Sequence, residues 1–346
     1  MCISCRKTWL WRLTVATTPN PLDSLMRRLN AAGIPTGFAR KVLPAWWHDD
    51  IAQSKSGLQQ AQMYFARAFN IDLASLAQAR AELRFCDTQR KFKLSRNVVE
   101  SDVSVSAHFA GAIAKVALHG FKAAQTVVPK DPVNLRADVL AGHPCVSLVA
   151  LLAWCAGAGI PVLHIDKLPG KKMTGLVVRA NGRFAIVLSK KGTPAHLLFH
   201  LAHELGHIAH GHLTDDGFVA DQSIGGADAG DAEEKEADAY AIRLLNGRSV
   251  SYGASSAAAI RSGKALFTAA LAKAQQEKID VGHIILNFGN AQKNHGLAAT
   301  ALKYVPGESD GIQVVNNAFF AALNSDGLSE DQFDLLQVAT GHGHVA

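Results

Sequence analysis

The run His203-Glu204-Leu205-Gly206-His207 is an H-E-x-x-H pattern. On a helix turning about 100° per residue, the two histidines lie about 40° apart on one face, one turn apart. Both imidazoles can then reach a single tetrahedral ion. Glu204, about 100° round from His203, can approach a water on that ion without taking a ligand position. This is the layout of metal-assisted hydrolysis, in which the ion acidifies water and polarises a carbonyl while the glutamate takes the proton.

Catalytic zinc sites keep three protein ligands and an open fourth position, so a further donor is needed. Glu233, Glu234 and Glu236 follow downstream, with Asp238 close behind. Glu234 and Asp238 are an i,i+4 pair on one helix face. Glu234 is the expected third ligand, with Glu233 and Glu236 as alternatives. Asp238 is expected to hold the far N–H of a ligand histidine. His196, His200 and His210 continue the face of His203 and His207, within about 80°. They invite a second metal, but no carboxylates of suitable spacing accompany them, so they read as cleft-lining residues or hydrogen-bond partners of the ligands. Tyr240 and His283 are candidate oxyanion stabilisers, with core packing as the competing role.

Rigid elements must position these groups. Thr193 at the N-cap and Pro194 at the first helical position start a helix that carries all the histidines just named except His283. Before it, residues 174–180 and 183–189 flank Asn181-Gly182, a strong hairpin signal. A substrate strand pairing along the edge of this hairpin, Thr174 to Ser189, would bring a scissile carbonyl to the ion. Residues 132–141 and 146–157 read as helices and 161–165 as a short strand. Residues 214–230 read as a polar Gly/Asp-rich connection, 232–245 as a helix and 247–263 as a loop. From Lys264 the chain reads as helical and then irregular, ending in a frayed tail. Toward the N-terminus, 21–81 reads as four short helices. Leu58, Ala61, Phe65, Ala68 and Phe69 there recur at helical spacing and make a shared core. Residues 86–129 continue helical and more basic.

Composition sets the outer bounds. The chain has 346 residues, 48% hydrophobic and 18% charged, which excludes disorder. Its longest apolar run, 146–162, is short for a bilayer span and reads as a buried helix. Arg12 interrupts the apolar stretch of the first 20 residues, so no secretory signal is expected. Five cysteines are an odd number, which argues against a disulfide framework and for a reducing, cytoplasmic setting. Cys86, Cys145 and Cys155 are expected to act as small buried hydrophobes. The net charge of +6 divides unevenly: residues 1–130 carry 18 Lys and Arg against 8 Asp and Glu, and 131–346 carry 17 against 21. The basic part fits a DNA-facing surface, a module that docks a protein, or plain packing.

The segments PAHLLFHLAHELGHIAHGH, GLVVRANGRFAIVLS and EKEADAYAIRLL together resemble the ImmA/IrrE family of zinc metallopeptidases, over roughly residues 130–250. In that family a hairpin precedes the H-E-L-G-H helix and a following helix supplies the third ligand. The resemblance implies zinc held by His203, His207 and Glu234, with Glu204 as general base. It also implies limited proteolysis of a transcriptional repressor or antitoxin-like regulator, in stress responses and transcription regulation. Where the family often ends its second helix in Leu-Met-Pro, this chain has Leu244-Leu245-Asn246-Gly247. The stretch QQAQMYFARAFNIDLASLA is similar to the last helices of a repressor-like helix-turn-helix domain.

The resulting expectation is an α+β fold, mostly helical, with a small antiparallel hairpin sheet beside the active-site helix. Its parts are a flexible leader (1–20), a helix-turn-helix-like region (21–85), a basic helical linker (86–130), a zinc metallopeptidase domain (131–250) and a C-terminal helical region (251–346). DNA contact is possible through residues 21–130, and no membrane partner is expected. The alternative is a DNA-binding or partner-sensing regulator that uses the same fold with little proteolysis.

Overall fold

In the computed structural model, which describes residues 20–86, 89–93, 100–122, 124–221, 232–250, 260–307 and 310–342, five strands make one sheet. They are β1 (Gln89–Lys93), β2 (Val162–His164), β3 (Gly175–Ala180), β4 (Arg183–Leu188) and β5 (Gly217–Asp221), in the order β1-β5-β3-β4-β2. The expected hairpin is β3 and β4. Asn181 and Gly182 both take positive φ, 52° and 72°, as a two-residue turn with this twist requires. The sheet is larger than expected and mixed: β5 runs antiparallel to β3, while β1 pairs parallel with β5 and β2 parallel with β4. Strands therefore flank the hairpin on both sides, and the substrate strand expected along its edge finds no free edge there.

Strand alternation assigns side chains to the two faces. Leu176, Val178, Ala185, Val187, Phe218 and Ala220 join one core, against the helix α5 (Glu100–His119). Ile186 and Leu188 join the other core, against α8 (Pro194–His210). Val177 and Val219 share that second direction, and by the same period of two so do Gly175 and Asp221.

Two of these elements fall where other structure was expected. The stretch 86–130, expected to be a basic helical linker, contains the strand β1 and then α5, which is buried nearly all round through Val103, Phe109, Ala110, Ile113 and Ala117. The stretch 214–230, expected to be a connection, begins with β5, whose five residues are all buried.

The N-terminal helices are α1 (Pro21–Ala31), α2 (Thr36–Ala39), α3 (Lys55–Phe69) and α4 (Leu73–Ala77). Asn20 caps α1, Ser54 caps α3 and Asp72 caps α4. The second helix is short because a 3-10 turn at Arg40–Val42 follows and Pro44 lies just beyond. Ala61, Phe65, Ala68 and Phe69 are buried as expected, with Leu58 partly so. Their core continues into α5, the sheet and the last helix without a break at the expected boundary of 130/131. Part of the basic excess here is structural: the Arg28 guanidinium donates to the carbonyls of Ser75, Leu76 and Ala81.

Helices α6 (Pro132–Leu140) and α7 (Leu148–Gly157) form as expected, capped by Asp131 and Ser147. Helix α9 (Ala232–Asn246) packs on α8. The C-terminal part is more regular than expected: α10 (Gly263–Glu277), α11 (Val281–Ala291), α12 (His295–Leu302), α13 (Gly311–Ala322) and α14 (Glu330–Thr340) follow in turn. No helix among the described residues is long and apolar enough to cross a membrane. Cys155 is buried, Cys145 half-buried and Cys86 exposed, the last against expectation. The expected leader up to residue 19, Cys2 and Cys5, the middle of the 247–263 loop and the tail from 343 lie outside the described residues.

Candidate metal centre

Helix α8 starts at Thr193 and Pro194 as expected, although the Thr193 hydroxyl bonds to His196 Nδ1 at 3.0 Å instead of capping the helix. At its other end Gly211 takes the left-handed conformation and turns the chain back, so that His212 returns to His207. Between these ends His203, Glu204 and His207 face inward and are fully buried.

Helix α9 reaches this face because of Gly206. A Cβ there would stand 2.9 Å from Ala237 Cα and 3.1 Å from Tyr240 Cβ, so only glycine admits so close a crossing. The approach brings Glu234 in: its Oε2 lies 3.4 Å from His203 Nε2 and its Oε1 3.4 Å from His207 Nε2. From the sheet side comes Asp221, the last residue of β5, with Oδ2 3.2 Å from His207 Nε2 and 3.5 Å from His203 Nε2. The two Nε2 atoms are 3.0 Å apart. His203, His207, Asp221 and Glu234 thus form a buried group whose donor atoms lie within 4.8 Å of one another and that could hold a metal ion.

The surroundings aim the histidine lone pairs inward. Asp238 Oδ1 accepts from His203 Nδ1 at 2.8 Å, the hydrogen bond expected of it, so that the neutral ring would present its Nε2 lone pair to the cluster. Glu236 Oε2 accepts from His212 Nε2 at 3.0 Å. His212 Nδ1 is then an acceptor, and His207 Nδ1 donates to it at 2.8 Å, so His207 Nε2 also presents a lone pair. The alternatives to Glu234 are accounted for: Glu236 acts on His212, and Glu233 turns to Lys91 Nζ at 2.9 Å. Replacing Asp238 with Ala, which removes the acceptor on His203, is expected to weaken metal binding about 10- to 100-fold. Competition with a chromophoric chelator measures it.

The donor set fits a divalent ion. Both oxygens of Asp221, both of Glu204 and Oε1 of Glu234 are buried without a hydrogen-bond partner. Carboxylates in so dry a place need a proton or a cation to balance them, and two imidazoles with two carboxylates suit a divalent metal. The protonation equilibria respond to the same field. Burial, and then the charge of Asp221, push the Glu204 carboxyl well above the usual range. Burial would raise Asp221 too, but His207 and His203 hold it well below. For His203, burial is outweighed by Asp221, Asp238 and Glu234, which hold the imidazolium well above its ordinary range.

Glu204 lies against β3. A Cβ at Gly175 would fall on its carboxylate, and Gly175 is the register partner of Asp221. The two carboxylates therefore meet at one end of the sheet.

The other histidines of α8 do not join the group: among the described residues the four donors above are the set that could hold an ion. His200 is buried with Nδ1 unpartnered and its pKa pushed down to about 3 by burial, and His210 stacks on His212. Tyr240 and His283 are engaged elsewhere. The Tyr240 hydroxyl donates to the Pro129 carbonyl at 2.8 Å, and His283 Nε2 lies 3.1 Å from Asn246 Oδ1. Asp221 and His212 are the two participants that sequence reasoning missed. Reading GFVAD as an alternating strand would have put Asp221 on the face of Val219, and Gly211 as a helix stop would have turned His212 back.

Compared with models of protein families, with curated proteins and with solved structures, the chain matches none.

Proposed function

We propose that the protein is a metal-dependent endopeptidase, with zinc as its ion, that makes limited cuts in a transcriptional repressor or antitoxin-like regulator. The observation that carries the reading is Glu204, a buried carboxylate without a hydrogen-bond partner beside a set of metal donors. Zinc and the class of substrate rest on the resemblance of residues 130–250 to the ImmA/IrrE family. An ion held by His203, His207 and Glu234 would supply Lewis acidity to a peptide carbonyl and to water.

This chain's own residues do the rest. Gly175 leaves room for Glu204 to lie flat on β3. Burial and the neighbouring Asp221 raise the proton affinity of Glu204, the direction that a general base working near neutrality needs. Glu204 takes a proton from the attacking water and passes it to the leaving amine nitrogen. Asp238, and Glu236 through His212, hold the two imidazoles in place. The dry surroundings strengthen each of these electrostatic contacts.

The test is to incubate zinc-loaded protein with a helix-turn-helix repressor and identify products by mass spectrometry. A few defined cuts that stop with 1,10-phenanthroline and return with added zinc are expected. Cutting that continues in the chelator would rule out a metal mechanism.

A further inference from the structure

We propose that Asp221 is the fourth protein ligand of the resting metal site, closing the position that a catalytic ion leaves open, and that a substrate must displace its carboxylate before hydrolysis. The displacement half rests on the hydrolase reading above; the ligand half stands without it.

A buried carboxylate near a ligand histidine usually acts from outside, accepting from the ring nitrogen that faces away from the metal. Here those outer nitrogens are taken. His203 Nδ1 has Asp238, and His207 Nδ1 has His212. Asp221 instead approaches the inner nitrogens, 3.2 Å from His207 Nε2 and 3.5 Å from His203 Nε2, as Glu234 does at 3.4 Å from each. It is wholly buried and neither of its oxygens has a hydrogen-bond partner.

Its backbone is fixed. Asp221 pairs in register with Gly175 on one side and Lys93 on the other, and its carbonyl accepts from Thr174 N at 2.6 Å. The period of two along β5 then points the side chain at α8 and nowhere else.

Two imidazole nitrogens, one oxygen of Glu234 and one of Asp221 would supply four protein donors. Closed sets of four protein ligands belong to structural sites, and hydrolytic sites leave one position to water or substrate. Glu204, adjoining the group yet outside the donor set, has no use in a purely structural site. The two observations agree if the Asp221 carboxylate can be exchanged: with an ion bound, it would give up its place to the oxygen of water or of a peptide carbonyl, with no change of oxidation state. Rotation about the side-chain bonds suffices for this, with β5 staying in the sheet.

The experiment uses the full chain loaded with cobalt as a spectroscopic probe, comparing wild type, Asp221→Ala and Asp221→Asn, with circular dichroism as the check on folding. Acetohydroxamate is titrated in and the visible absorption followed. Asp221→Ala is expected to respond at concentrations at least about tenfold lower than wild type, because its fourth position is open. Its zinc affinity, by chelator competition, should be at least about tenfold weaker, the smallest loss brought by removing even an outer partner. If Asp221→Ala does not fold, Asp221→Asn carries the same comparison. Equal hydroxamate response in wild type and variant, or unchanged zinc affinity, overturns the proposal. If the spectra show the site opening while neither protein cuts a repressor, the closed ligand set stands and the hydrolase reading falls.

Discussion

Replacing Glu204 with Gln is expected to lower peptide hydrolysis by about 10²- to 10⁴-fold, with zinc content unchanged. The amide keeps the size of the carboxylate, so it still fits against Gly175. It is not one of the four donors, so the ion stays. What it loses is the capacity to accept a proton. It also removes a buried carboxylate held against Asp221, a pairing that pushes the Glu204 proton affinity up. Thermal stability is therefore expected to hold or rise. A zinc-loaded variant that cuts as fast as wild type would show that Glu204 is not the base.

The second large effect is expected from Gly206→Val. Helices α8 and α9 cross so closely here that even one methyl meets the backbone of Ala237. Backbone does not yield as a flexible side chain would, so α9 must move out. Overpacking of this kind costs about 1–3 kcal/mol or more, which urea unfolding would measure. The displacement carries Glu234 away from His203 and His207, so metal affinity should fall together with stability. A variant that loses stability but binds zinc as wild type does would mean that Glu234 is not held in place by this crossing.

The readable parts of the chain were those with local signals. Asn181-Gly182 between apolar strands announced the hairpin, Thr193-Pro194 marked the start of α8, and the i,i+4 spacing of Glu234 and Asp238 put both beside the histidines. The unreadable parts owe their form to distant partners. GFVAD holds three apolar residues in polar surroundings, and it is a strand because it lies between β1 and β3. QRKFK carries the charges that an edge strand tolerates, which in isolation look like a basic helix. Helix α5 does lie in the stretch read as helical, but the sheet covers one flank and the N-terminal helices another, so it is a buried core helix where a basic linker was expected. Losing β5 from the reading meant losing Asp221, and with it the closure of the site. The same omission left the hairpin with an apparent free edge for substrate.

The central claim is a buried metal site in which Glu234 joins the two histidines of α8. Metal analysis of the purified full chain after dialysis against a mild chelator tests it most directly, wild type beside Glu234→Ala. The account predicts about one zinc per wild-type chain and little or none in the variant, both folded by circular dichroism. A wild type that retains no stoichiometric metal, or a variant that keeps it as tightly, would contradict it.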